Sequence, residues 1–103
     1  MRADRITAAA LAAVLLSPSA LAAPKLGEIV AVTACARPGV EGSCLTITGT
    51  DGTVFNITGA NPKPPLDVMI QLHGTVTNKV SACNQGIVLE PITWARTQQK
   101  CPN

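Results

Sequence analysis

Cys35, Cys44, Cys83 and Cys101 are the residues whose chemistry most constrains this chain. They stand 9, 39 and 18 positions apart, so the sequence contains no C-x-x-C pair. A structural zinc site draws its thiolates from such close pairs, and a thioredoxin-like redox centre needs one opening a helix. An even number of widely spaced cysteines in a short chain reads instead as two disulfides. Four cysteines allow three connectivities, and spacing does not decide among them. The preferred pairing is Cys44 with Cys83, joining two strand ends across a small barrel, and Cys35 with Cys101, pinning the polar tail Thr97 to Asn103 onto the first strand.

The other reactive side chains form no recognisable set. His73 is the only histidine, and it falls at strand spacing with Gln71 and Thr75 on a polar face. There it is either a solvated polar residue or a pH-sensitive contact of a binding face. No G-x-S-x-G motif supplies a nucleophile, oxidised cysteines supply no thiolate, and the scattered acids form no evident acid/base pair. Neither a metal nor a cofactor is expected. Asn56-Ile57-Thr58 matches a glycosylation sequon but lies in a strand pattern and is read as chance. Phe55 and Trp94 alternate with apolar residues and read as core. Single-stranded nucleic acid is held on aromatic platforms beside a basic groove, and this near-neutral chain with few aromatics offers neither.

β-branched residues and turn signals dominate the elements that position these groups. Glu28 to Cys35 reads as a first strand, followed by the loop Arg37 to Gly42. Cys44 to Thr48 and Thr53 to Thr58 alternate apolar and polar residues around Asp51-Gly52, the signature of a hairpin with a type I′ turn. Gly59 to Pro65 (GANPKPP) is too rich in proline for helix or strand. Val68, Ile70, Leu72 and Val76 mark the inner face of a fourth strand, on which Gly74 predicts a bend or a close approach. Asn78 to Gln85 is a loop carrying Cys83, and Gly86 to Trp94 is a fifth strand. Pro91 makes that strand an edge or the site of a bulge. The expected fold is all-β, a small five-stranded OB-like barrel, with an SH3-like barrel as the alternative.

Residues 1–22 carry the features of an export signal. Arg2 and Arg5 precede the apolar run Ile6 to Leu16, which Ser17-Pro18-Ser19 interrupts before Ala20-Leu21-Ala22. Small residues at −3 and −1 place cleavage before Ala23; cutting one residue later, a retained helix and an uncleaved anchor are the alternatives. The apolar run is too short to span a bilayer, so no membrane insertion is expected after cleavage. The mature chain, 23–103, is a single domain of 81 residues with six basic and five acidic side chains. Such a balance exerts little pull on phosphate backbones or anionic lipid. A core of this size is marginal without staples, which gives the disulfides their purpose.

The runs GVEGSCLTITGTDGTVFNITG, VMIQLHGTV and ACNQG resemble a family of small exported bacterial domains of unknown function. The similarity extends from about Val32 to Val88 and rests on Gly42, Cys44, Gly74, Cys83, Gln85 and Gly86. It implies a Cys44–Cys83 bridge and an OB-like fold, and it brings no activity. Cys35 and Cys101 are additions to that pattern, so their pairing rests on parity.

The functional expectation is a monomeric, periplasmic or secreted, non-enzymatic binding module for a protein or a small polar ligand. In OB-like barrels the strand face and rim loops bind, which directs attention to Gln71, His73 and Thr75 and to Arg37 and Lys63 on loops. The alternative is an envelope structural or stress protein with no defined ligand. An enzyme working through His73 or a surface carboxylate is the third and weakest reading.

Overall fold

The computed structural model describes residues 23–102; the export signal expected in residues 1–22 lies outside them. The described elements are all strands: β1 (Ile29–Ala34), β2 (Arg37–Pro38), β3 (Leu45–Thr48), β4 (Val54–Asn56), β5 (Val68–Val76) and β6 (Ile87–Lys100). They form one six-stranded sheet in the order β1-β5-β6-β4-β3-β2. All pairings are antiparallel except the parallel contact between β4 and β6. The sheet is not closed: β1 and β2 occupy its outer positions, although only Cys35 and Ala36 separate them in the chain. The two edges therefore converge at that link and diverge toward Ile29 on one side and the β3–β4 hairpin on the other.

Strand alternation places one face inside. Val32, Ile47, Phe55, Ile57, Ile70, Leu72, Val76 and Leu89 are buried together, with Val30, Ala34, Ile92 and Trp94 packed against them. Gly74 falls among these inward positions because a side chain would not fit there. A Cβ atom would lie 2.8 Å from the Cβ of Leu89.

The two disulfides are Cys35–Cys101 and Cys44–Cys83, with Cα atoms 6.0 and 5.9 Å apart. No described cysteine is free. Cys44 and Cys83 are buried, whereas Cys35 and Cys101 are half-buried.

Three local expectations change. Arg37-Pro38 is a strand rather than part of a loop, which makes six strands where five were read. Proline is tolerated there because β2 is an edge and needs no outward N–H. The hairpin turn is wider than type I′. Gly52 N–H donates to the carbonyl of Gly49 and Gly49 N–H to that of Thr53, both at 2.9 Å. Gly52 has φ +91°, as in three-residue loops that end in a left-handed glycine. The fifth strand of the sequence reading continues to Lys100, so Thr97 to Lys100 is not a loose tail. Pairing of Ile70 with Arg96 and Val68 with Lys100 carries it past the core, and its polar side chains concealed it. Pro91 sits at the expected bulge, where the partners of Gly74 and Val76 are Ile92 and Leu89, and β4 pairs with β6 only at Ile87 and Val88, so among the described residues no strand needs an N–H from Pro91 on that side.

Candidate functional site

The outer face of β1, β5 and β6 is set by the same alternation that builds the core. With Val30, Val32, Ile70 and Leu72 turned inward, Ala31, Thr33, Gln71 and His73 must turn outward. Strand register aligns them in rows across the sheet. His73 lies between Ala31 and Thr93, and Gln71 between Thr33 and Ala95. Both are exposed, and Thr75 beside them is half-buried opposite Ile29. The result is a floor of small and hydroxyl side chains from which one imidazole and one carboxamide project. Among the described residues neither projecting side chain makes a hydrogen bond, so their donors and acceptors are open to a ligand.

Arg37 and Lys63 do not join this face. Arg37 is exposed on β2 opposite Thr46 and borders a shallow groove with Thr33, Thr48, Met69 and Pro102. Thr33 is its only link to the Gln71 row. Lys63 lies in the GANPKPP loop beside Pro38, Pro64 and Leu66, where its Nζ donates to the carbonyl of Thr58 at 3.0 Å. The same loop is fastened to β6 by Trp94, whose Nε1 donates to Pro62 O at 2.8 Å. Lys63 is thereby a loop clasp, and the five candidate residues fall at three separate places.

Asn56 and Thr58 have structural work of their own. Asn56 is 1% exposed; its Nδ2 donates to Cys83 O at 2.6 Å and to Ser81 Oγ at 3.3 Å, while its Oδ1 accepts from Thr58 N–H at 3.1 Å. Thr58 Oγ1 accepts from Leu45 N–H at 3.1 Å. A buried amide engaged on both ends is closed to glycan transfer. It orders the Ser81–Gln85 loop on which Cys83 is held. Gln85 completes that attachment by accepting from Val40 N–H at 2.9 Å. Sequence reading missed this role, because a sequon and a structural Asn-x-Thr read alike.

A second recess opens where the sheet does not close. It lies between β1 and the β3–β4 hairpin, has a volume of about 510 Å³, and includes Glu28, Ile29, Ala31, Thr50, Asp51 and Phe55 in its lining. Asp51 is held below the usual aspartate value of 3.8, chiefly because its carboxylate accepts the Thr53 backbone N–H. Glu28 Oε1 accepts from Lys25 N–H at 2.9 Å.

No group of three or more His, Cys, Asp or Glu side chains that could hold a metal ion occurs among the described residues. No family model, curated protein or solved structure matches the chain.

Proposed function

We propose that the mature chain is an exported, non-enzymatic binding module that takes a protein segment or a small polar ligand on the outer face of β1, β5 and β6. The observation that carries this reading is the row geometry. Gln71 and His73 stand on a low floor of Ala31, Thr33, Thr93 and Ala95, with their polar atoms unspent. Exposed side chains with no partner among the described residues, standing on a rigid, stapled sheet, are available for recognition. Two disulfides in so small a domain are compatible with export.

An OB-like barrel is the architecture we infer behind this module. Three features favour it: the parallel β4–β6 contact within an otherwise antiparallel sheet, the β1-β5-β6-β4-β3-β2 order, and the two-residue link joining its outer strands.

The test substitutes Gln71→Ala, His73→Ala and Thr75→Ala together in protein recovered from the exported fraction of its host. Exposed polar changes alter stability by about 0.5 kcal/mol or less each. The bound species should be lost at nearly unchanged melting temperature. Retention of the bound species by the triple variant would remove the face from the account.

A further inference from the structure

We propose that the free edge of β1 takes an extended basic peptide, which adds a strand in the recess between β1 and the β3–β4 hairpin. This surface shares β1 with the Gln71–His73 face but uses the free backbone edge of that strand in place of its outward side chains.

The backbone phase of β1 fixes which groups are on offer. Val76 N–H donates to Glu28 O at 2.9 Å, so Glu28 belongs to a hydrogen-bonded pair. Antiparallel alternation makes Val30–Gly74, Val32–Leu72 and Ala34–Ile70 the next such pairs. Ile29, Ala31 and Thr33 therefore turn their N–H and C=O groups away from β5, toward the recess. Within the described residues these groups form no hydrogen bond on that side. Such a row is a template for one more strand.

The two edges of the sheet are treated differently by the sequence. β2 is only two residues long and consists of Arg37 and Pro38, a charge and a residue without an N–H. Those are the devices that blunt an edge. β1 is IVAVTA, six residues with neither charge nor proline. Ile29 at its start is 69% exposed. Of the two outermost strands β1 is the one left competent to pair, and on β6, whose β4 side is unpaired beyond Val88 among the described residues, Pro91 interrupts the run of donors.

The recess selects the occupant. Glu28 and Asp51 line it, and no lysine, arginine or histidine does. Each carboxylate already accepts one backbone N–H, which fixes its position and leaves acceptor capacity for a cation. The recess is lined on the β1 side by Glu28 to Val32, so the segment of β1 it offers is the Ile29 end and not the end joined to Cys35-Ala36. The occupant is accordingly a peptide strand with lysine or arginine side chains.

The probe is a labelled heptapeptide of alternating lysine and valine, titrated into the oxidised mature protein while backbone amides are followed by NMR. Binding should move and protect the amides of Ile29, Ala31 and Thr33 most, with smaller shifts at their partners on β5 and no protection gained at His73. The same peptide N-methylated at alternate amides, and a glutamate-for-lysine version, should not bind. Glu28→Gln with Asp51→Asn keeps both backbone acceptors and removes both charges. It should remain folded with a slightly lower melting temperature, from the lost Asp51 charge at the Thr53 N–H, and weaken binding roughly tenfold, as expected for two partly exposed ion pairs. Equal binding of the N-methylated peptide, or shifts centred on His73, would overturn the proposal. So would concentration-dependent self-association through β1 without peptide binding, which would make a second copy the occupant.

Discussion

Single residues show where the fold tolerates no change. A Cβ atom at Gly86 would lie 2.6 Å from the carbonyl oxygen of Val54, and Gly86 also has φ +81°. At Gly74 the obstacle is the Leu89 side chain, which can shift. Gly74→Ala should therefore cost about 1–3 kcal/mol as an overpacking change. Gly86→Ala should cost more, since backbone must move and the conformation is strained. Denaturant unfolding of the two variants orders them. Asn56→Ala strands the Cys83 carbonyl and the Thr58 N–H and should cost about 2–3 kcal/mol. Its unfolding midpoint, compared with that of the exposed Gln71→Ala, separates a structural residue from a surface one. Asp51 adds a pH dependence of known sign. Its folded value is depressed below the ordinary 3.8, so its contribution is complete above that value and fades as pH falls through the folded one. A carboxylate titration by NMR should find Asp51 below an unperturbed aspartate; a value above 3.8 would show that the Thr53 contact is not formed. At this scale the sequence was readable where chemistry forces one residue type. Gly74 announced its close approach, but Asn56 did not announce its role, because two of its three hydrogen bonds reach a loop 25 to 27 residues away.

At the scale of elements, strands with strict alternation were legible and strands defined by their partners were not. β3, β4 and β5 show their inner faces in the sequence, and the outward placing of Gln71 and His73 follows from β5 alone. β2 owes its existence to β3, and the extension of β6 to the start of β5. Neither has an apolar rhythm of its own. The β6 irregularity near Thr97 is bridged by that side chain, whose Oγ1 donates to Met69 O at 2.7 Å and accepts from Gln99 N–H at 3.1 Å. The disulfides act on different elements. Cys35–Cys101 ties the β1–β2 link to the end of β6, where Cys101 N–H also donates to Asp67 O at 2.9 Å. Cys44–Cys83 lies in the interior and anchors the loop that Asn56 orders. Their sequence separations of 66 and 39 differ too little for chain entropy to distinguish them by more than about 0.5 kcal/mol. Burial decides instead. Replacing Cys44 and Cys83 by alanine should cost more than replacing Cys35 and Cys101, which should cost about 2–4 kcal/mol. Thermal unfolding of the two double variants measures the order, and the reverse order would mean that the outer bridge carries the fold.

At the scale of the whole, the described residues form a stapled, open β-sheet with a polar outer face and an edge strand, β1, that carries neither charge nor proline. Its all-β class was legible in the frequency of β-branched residues and turns. Its openness was not, because closure depends on how far β1 and the hairpin diverge, a distance to which no residue type testifies. For the same reason the recess beside β1 was invisible until the strands were placed, as was the separation of Arg37 and Lys63 from the Gln71–His73 face. The central claim is that this sheet is the rigid frame of an exported module with an occupied binding surface. The most direct measurement is the intact mass, native and denatured, of protein isolated from the exported fraction of its own host. The account predicts a chain beginning at Ala23, lighter by about four hydrogens for two disulfides, with additional native mass that departs on denaturation. A full-length chain with four free thiols, or an oxidised mature chain carrying nothing, would contradict it.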